Sequence, residues 1–343
     1  MGEFDLIKRF FTRPTPRAVL GVGDDCALLQ PRPGMQLAIS SDMLVSGRHF
    51  FADVDPRTLG HKALAVNLSD LAACGASPLA FTLALALPDA DAAWLAPFSQ
   101  GLLALADHHG CELIGGDTTQ GPLNICITVF GEVAPGLALL RSGAQAGDDI
   151  YVSGTLGDAS LALAHLLHAS GAAAADAAAP VPLSADDLAR ARQRLEQPTP
   201  RLALGMALRG IASAAADVSD GLLGDLGHIL ERSHKGATLD TTVAFGLLGA
   251  HHYSTEAAAL LASPAWRQQV LQHVLSGGDD YELVFTAAPA QRAAVQAAAS
   301  ASQTPVTRIG RIDASPGLRL QDANGVLLAS AGFHSFDHFA AAA

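Results

Sequence analysis

Aspartates beside glycine or serine recur along this chain, and their carboxylates are the groups best suited to do chemistry. Any one of them is typical of a turn or a helix cap. As a set they offer only oxygen ligands, which favour Mg²⁺, Mn²⁺ or Ca²⁺ over zinc or copper. The set therefore predicts a site where several carboxylates share divalent cations. Its members lie in Gly23-Asp24-Asp25, Ser40-Ser41-Asp42, Ser69-Asp70, Gly115-Gly116-Asp117, Asp217-Val218-Ser219-Asp220-Gly221 and Gly277-Gly278-Asp279-Asp280.

Asp70 argues most directly for a cation. It falls in a segment that is typical of an apolar helix, near the face that carries Leu64, Leu68 and Leu71. A buried carboxylate without a partner is strongly unfavourable. No Lys or Arg stands within seven residues of Asp70. A divalent metal ion would compensate this carboxylate together with others.

The composition supports compact acidic sites and excludes several classes of protein. The 343 residues include 33 acidic ones, 26 Asp and 7 Glu, against 21 Lys and Arg, so the net charge is −12. Asp favours caps, turns and metal sites, whereas Glu is the better helix former. A chain with three lysines and no basic run is not expected to bind nucleic acid. The 50% of hydrophobic residues predicts a well-buried core.

The sequence predicts a cytoplasmic protein without a membrane partner. Four widely spaced cysteines without a Cys-x-x-Cys pair are typical of reduced thiols. The first residues do not have the pattern of a signal peptide. The longest apolar stretch, 79–87, has half the length of a membrane span.

The elements that must position the aspartates mix strands and helices in two domains. A turn-rich segment at 141–149 marks the boundary between an N-terminal α+β domain, 1–140, and a second domain, 141–343. Residues 170–182 are rich in Ala and are expected to form an exposed, mobile connection. Apolar periodicity and turn residues predict strands over 36–40, 79–87, 123–133, 150–152, 281–286 and 306–312, and helices over 58–74, 92–109, 156–169, 185–195, 201–212, 221–233 and 289–300.

Clustered carboxylates with Mg²⁺ and Gly-rich turns suit phosphoryl transfer, where catalysis is mostly positioning and charge neutralisation. The familiar nucleotide motifs are absent from the sequence. No Lys follows a Gly, so there is no P-loop, and the kinase motifs Val-Ala-Ile-Lys and His-Arg-Asp are missing. An ATP-using enzyme built on this sequence would therefore use metal ions where others use Lys.

Six motifs in one order identify a resemblance. Together they closely resemble the thiamine-monophosphate kinase family, within the superfamily of aminoimidazole ribonucleotide synthetase and selenophosphate synthetase. The resemblance runs from about residue 3 to residue 339. It is carried by Gly23-Asp24-Asp25, Ser41-Asp42-Met43-Leu44-Val45 with Gly47 and His49-Phe50, the run from Lys62 to Ala73, Gly115-Gly116-Asp117-Thr118-Thr119, Asp217-Val218-Ser219-Asp220-Gly221-Leu222, and the run from Ser276 to Leu283.

The resemblance implies a fold, an activity and a set of site residues. The implied fold is α+β, a two-domain aminoimidazole ribonucleotide synthetase-like architecture with an N-terminal mixed sheet flanked by helices and a C-terminal α/β domain. The implied activity is direct, in-line phosphorylation of thiamine monophosphate to thiamine diphosphate by ATP with several Mg²⁺ ions, in a homodimer joined through the N-terminal domains. Carried over by motif, the metal ligands are Asp25, Ser40, Ser41, Asp42, Asp70, Asp117, Asp217 and Asp220; the ATP contacts are Gly116, Asp117, Arg141 and Ser219; and the substrate contacts are His49, Asp279 and Phe336.

Three of these positions depart from the family pattern. The family commonly has Glu at Asp279, Thr at Ser41, and Trp or Tyr at Phe336. Asp24, Asp225 and Asp280 are expected either to support neighbouring ligands or to be structural, and the sequence does not decide between the two. No side-chain acid or base is expected to be catalytic, because the accepting phosphate oxygen is already ionised near neutral pH.

Three other readings stay open from the sequence. One is another ATP-using synthetase of the same superfamily, acting for example on an aminoimidazole precursor. A second is a Mg²⁺-dependent phosphohydrolase in which the same carboxylates activate water. A third is a non-catalytic Ca²⁺-binding protein, which would need neither Arg141 nor His49.

Overall fold

A computed structural model of the chain describes residues 2–174, 178–329 and 332–333. The chain divides into two compact units, Met1–Ala138 and Leu139–Ala343. Each unit is built on one sheet. Across the described residues, every helix is too short or too polar to cross a membrane.

The first unit is a mixed four-stranded sheet with helices. Its strand order is β1-β4-β2-β3, and only the β2–β3 pair is parallel. The strands predicted for β1, β2 and β4 and the helices predicted for α2 and α3 are confirmed, whereas α1 and β3 were not predicted. The elements are α1 (Glu3–Phe10), β1 (Gln36–Val45), α2 (Pro56–Ala73), β2 (Ser77–Leu87), α3 (Ala92–His109), β3 (Glu112–Gln120) and β4 (Asn124–Val133).

Local capping sets the ends of α2 and α3. The Asp55 carboxylate accepts a hydrogen bond from the Arg57 N–H, and Pro56 takes the first helical position. The Asp91 carboxylate caps α3 in the same way, and Gly110, in the left-handed conformation, ends it. Of these signals, Asp55 and Pro56 predicted the start of α2 and Gly110 predicted the end of α3.

Helices α2 and α3 approach each other closely at two glycines. A Cβ atom added to Gly60 would lie 2.1 Å from the Phe98 carbonyl oxygen. A Cβ atom added to Gly101 would lie 1.9 Å from the Arg57 carbonyl oxygen. Both contacts are with backbone, which cannot rotate away as a side chain can. The two glycines therefore permit the close packing of this helix pair.

The β1 strand presents apolar side chains to solvent on one face of the first sheet. Leu37, Ile39 and Met43 are 44%, 60% and 53% exposed. Side chains alternate between the two faces of a strand. The intervening Ser40 and Asp42 therefore lie on the face that α2 covers.

The second unit is a seven-stranded mixed sheet with helices. Its strand order is β11-β10-β7-β9-β5-β8-β6, and β7–β10 is the one parallel pair among the described strands. Short 3₁₀ helices occupy Gly249–His252 and Pro289–Gln291. The elements are β5 (Asp149–Ser153), α4 (Asp158–Ser170), α5 (Ala185–Glu196), α6 (Leu202–Ala207), β6 (Ala214–Val218), α7 (Leu222–Ser233), β7 (Gly236–Asp240), α8 (Thr241–Phe245), α9 (Thr255–Leu261), α10 (Arg267–Ser276), β8 (Glu282–Ala287), α11 (Arg292–Ala301), β9 (Val306–Asp313), β10 (Gly317–Gln321) and β11 (Leu327–Leu328).

Several predictions for this unit need correction. The helix predicted over 201–212 ends at Ala207. The Ala-rich segment is not wholly exposed, because Val181 is buried and its carbonyl oxygen contacts His165 Nε2 at 2.8 Å. The elements that were not predicted are β6, β7, α8, α9, α10, β10 and β11.

We predict that Gly101→Ala destabilises the first unit by about 1–3 kcal/mol, because the new methyl group overpacks against backbone. The matched control is Gly227→Ala on α7, where a Cβ atom meets nothing within 4 Å. That control should stabilise its helix by up to about 1 kcal/mol through helix propensity. Urea unfolding measures both, and equal stabilisation by the two substitutions would contradict the close helix contact.

Candidate active site

A cavity of about 840 Å³ in the first unit brings three of the predicted site residues together. Asp25, Gly116 and Asp117 line it, along with residues of α1 and β2. Asp25 and Asp117 are exposed, so their carboxylates are open to a ligand. Gly116 has φ +144°, and a Cβ atom there would lie 1.8 Å from the Leu83 carbonyl oxygen. Glycine is therefore required beside Asp117.

A second group of predicted ligands lies where β1 meets α2. The Ser40 hydroxyl donates to Asp70 Oδ2 at 2.5 Å. The Asp42 N–H donates to Asn67 Oδ1 at 3.0 Å, and the Asn67 amide in turn donates to the Ala63 carbonyl. Asp70 is half-buried rather than fully buried. One of its partners is thus a hydroxyl from a neighbouring strand, which the sequence did not reveal.

Asn67 has a structural role that the sequence analysis did not assign. It stands three residues before Asp70, so both residues face the same side of α2. The sequence feature that points to this role is the three-residue spacing within Asn67-Leu68-Ser69-Asp70.

Ser41 faces away from the Ser40–Asp70 pair, and His49 contacts the end of β1. The Ser41 hydroxyl lies 3.0 Å from Thr128 Oγ1 and donates to the Ile127 carbonyl, on the sheet face opposite to Ser40. His49 Nδ1 accepts from the Val45 N–H at 3.0 Å. A neutral His49 ring therefore carries its proton on Nε2.

Two loops in the second unit bring Ser219, Asp220 and Asp279 together. The Asp279 N–H donates to the Ser219 carbonyl, and the Tyr281 N–H donates to the Val218 carbonyl, each at 2.8 Å. These bonds extend the pairing of β6 with β8 into the loops. Asp217 is buried and is the second-last residue of β6, close to the first loop.

Asp225 holds the first of these loops in place. Its Oδ2 accepts hydrogen bonds from the backbone N–H groups of Ser219, Asp220 and Gly221 at 3.0, 3.1 and 3.2 Å. Burial raises the pKa of Asp225 to about 7, although the backbone donors act in the other direction. The sequence left open whether Asp225 is structural or supports neighbouring ligands. The sequence feature that points to its role in the loop is its position one helical turn after Gly221.

The structure does not bring Arg141 and Ser219 together within this unit. The Arg141 carbonyl accepts from Ser233 Oγ at 3.4 Å, and the neighbouring Leu140 carbonyl accepts from the Ala215 N–H. The Arg141 backbone therefore lies at the amino end of β6, whereas Ser219 follows its carboxyl end. Phe336 lies outside the described residues.

The donor chemistry of these residues fits Mg²⁺. Their side chains supply carboxylate and hydroxyl oxygens, and Ser40 and Asp70 already stand within 2.5 Å of each other. Among the described residues, no group of three or more His, Cys, Asp or Glu side chains is gathered closely enough to hold a metal ion.

The family is decided by comparison with known proteins. The family described as "AIR synthase related protein, N-terminal domain" matches residues 23–133, and its C-terminal counterpart matches 145–323. Thiamine-monophosphate kinase of Escherichia coli K12 is 45% identical over 99% of this chain and 98% of its own length. The chain belongs to the thiamine-monophosphate kinase family. The family, the two-domain α+β fold class and the kinase activity predicted from the motifs are therefore confirmed.

Two solved structures of this kinase family share the fold. The enzyme of Stenotrophomonas maltophilia K279a has a TM-score of 0.77 and 46% identity, covering 92% of this chain and 94% of its own. AaThiL, complexed with AMPPCP and TMP, has a TM-score of 0.73 and 26% identity, covering 98% and 96%.

We predict that Asp225→Ala lowers the free energy of unfolding by about 3 kcal/mol, because three backbone donors lose a buried acceptor. It should also weaken ATP binding, since Ser219, which the motif resemblance predicts to contact ATP, lies in the released loop. Asp240→Ala is the matched control, because Asp240 also accepts from two backbone N–H groups but caps α8. Denaturant unfolding and ATP titration measure both effects. Unchanged ATP affinity in Asp225→Ala would contradict this role.

Proposed function

We propose that this kinase transfers the γ-phosphoryl group of ATP directly to the phosphate of thiamine monophosphate, with several Mg²⁺ ions, and forms thiamine diphosphate and ADP. The observation that carries the proposal is the order of acidic motifs in a chain that is 45% identical to a thiamine-monophosphate kinase. Asp42, Asp70 and Asp117 lie within β1, α2 and β3, and the motifs of the second unit lie at the end of β6 and in the loops that follow it and precede β8. AaThiL, a more distant relative, binds AMPPCP, an analogue of ATP, together with TMP.

The proposal gives the two domains different tasks. In the first, 1–140, Asp25, Ser40, Ser41, Asp42, Asp70 and Asp117 hold metal ions, Gly116 and Asp117 contact ATP, and His49 contacts the substrate. In the second, 141–343, Asp217 and Asp220 hold metal ions, Arg141 and Ser219 contact ATP, and Asp279 and Phe336 contact the substrate. A guanidinium suits phosphate, and a carboxylate suits the cationic thiazolium ring.

The main physical barrier is repulsion between two phosphate-bearing substrates. At ~4 Å each pair of unit charges repels by roughly 4 kcal/mol at an effective dielectric constant near 20. Bound Mg²⁺ supplies the neutralising charge. The carboxylates of the chain hold that charge in place, and the Gly116 backbone leaves room beside Asp117. No protein base is needed, because the accepting phosphate oxygen is already ionised.

Two further properties belong to the proposal. The enzyme acts in the cytoplasm, in line with its four free cysteines. It forms a homodimer through the first domain. The exposed apolar face of β1, with Leu37, Ile39 and Met43, supports this, because such a face is unfavourable in water.

The activity is tested by incubating the protein with Mg·ATP and thiamine monophosphate and separating the products. We expect thiamine diphosphate and ADP in equal amounts. Inorganic phosphate without thiamine diphosphate would instead support the phosphohydrolase.

Asp117→Asn should lower kcat by about 100-fold or more at saturating Mg²⁺, because it removes a charge that holds the neutralising cations. Asp89→Asn, an isosteric change on the exposed turn after β2, is the control and should match wild type. Near-wild-type activity of Asp117→Asn would refute its assignment as a metal ligand.

Ile39→Glu should convert the dimer to a monomer, because it places a charge in the apolar face of β1. Val326→Glu changes a similarly exposed side chain, 59% against 60%, in the second unit and should leave the mass unchanged. Sedimentation velocity measures both, and a dimeric Ile39→Glu protein would place the interface elsewhere.

A further inference from the structure

Glu282 is fully buried at the start of β8, and two arginines hold it. Arg194 Nη2 donates to Oε1 at 2.8 Å, and Arg201 Nε donates to Oε2 at 2.6 Å, with a second bond from Arg201 Nη2 to Oε1. The Ser153 hydroxyl also donates to Oε2 at 2.5 Å. The two arginines come from α5 and from the residue before α6. This carboxylate therefore joins three separate segments to the first residue of β8.

Asp280, two residues earlier, is a second buried anchor. Its Oδ2 accepts from the Gly157 N–H at 2.8 Å, and the residue is 1% exposed. Asp280 Oδ1 and Arg194 Nε have no hydrogen-bond partner among the described residues. The chain leading into β8 is thus fixed at both Asp280 and Glu282.

The residues between and before these anchors have an uncommon backbone. Asp279 has φ +68° and Tyr281 has φ +52°. Residues with side chains rarely adopt this left-handed conformation, and it persists only where surrounding contacts enforce it. The anchors on Asp280 and Glu282 are such contacts. Asp279, which lies next to them, is held with its N–H on the Ser219 carbonyl.

We propose that Glu282, which is hydrogen-bonded by Arg194 and Arg201, is a positioning residue that holds Asp279 in its place beside Ser219. This inference rests on the proposed function, in which Asp279 contacts thiamine monophosphate. Glu282 itself is fully buried, so in this inference it acts on the substrate only through Asp279. Its effect passes through the backbone from residue 282 to residue 279.

The same sheet contains a matched carboxylate with no such task. Asp149, on β5, is also buried and also binds two arginines, with Arg292 Nε at 2.6 Å and Arg308 Nη1 at 3.1 Å. It pairs with Ala287, at the far end of β8 from Glu282. A charge change at Asp149 should therefore disturb the sheet without moving Asp279.

The test compares Glu282→Gln with Asp149→Asn in steady-state kinetics and thermal unfolding. We expect both to lower Tm. Glu282→Gln should raise KM for thiamine monophosphate by about tenfold or more, because a small displacement of a binding group is costly. Its KM for ATP should change less, and Asp149→Asn should leave both KM values near wild type. A lowered Tm with unchanged KM for thiamine monophosphate in Glu282→Gln would overturn the inference.

A double-mutant cycle tests the route through Asp279. In an Asp279→Ala background, Glu282→Gln should add little to KM for thiamine monophosphate, because the group it positions is gone. A full additional increase would show that Glu282 acts independently and would refute the inference.

Arg201→Lys keeps the positive charge but loses the two-point contact with Glu282. It replaces Glu282→Gln in the kinetic test if Glu282→Gln does not fold. We expect a smaller increase of the same KM, and an unchanged KM would overturn the inference. Turnover of thiamine monophosphate by the wild type tests the proposed function separately, because the inference concerns only the ratio of variant to wild type.

Discussion

A buried carboxylate must find hydrogen-bond donors or positive charge, and this requirement organises the loops of this protein. Asp225 is held by three backbone N–H groups, Glu282 by two arginines and a serine, and Asp280 by the Gly157 N–H. Each set of donors is attached to a particular segment. These hydrogen bonds therefore fix where each segment lies, and they determine the conformation of the loops after β6 and before β8.

The elements that were predicted from the sequence are those whose secondary structure is determined by their own residues. Strand β4, rich in Ile, Val and Thr, and helices α2 and α3, with their Asp caps, were found close to their observed bounds. Strand β6 was not, because Ala214-Ala215-Ala216 favours a helix. It is extended because β8 pairs with it. Strand β3 was missed because Gly115 and Gly116 resemble a turn when no neighbouring strand is known.

The site shows the same division between local and distant information. The motif aspartates were visible because each stands beside Gly or Ser in the sequence. The hydrogen bonds from Arg194 and Arg201 to Glu282 were not visible in the sequence, since the two arginines are 88 and 81 residues away from it. Strand periodicity places neighbouring residues on opposite faces of a sheet, so the side chains of Ser40 and Ser41 point to opposite sides of the first sheet. The motif resemblance treated both as ligands, whereas only Ser40 lies against Asp70.

The excess of Asp over Glu now has a physical explanation in two parts. A short side chain keeps its carboxylate close to the backbone, so it can accept from nearby N–H groups, as Asp55, Asp91 and Asp225 do. The same shortness keeps Asp25 and Asp117 on the wall of the first unit's cavity. Aspartates of the first kind are hydrogen-bonded by the backbone of the chain itself and set its local geometry. Those of the second kind remain exposed, where the Mg²⁺ ions of the proposed function would bind and would offset the repulsion between a chain of net charge −12 and two phosphate-bearing substrates.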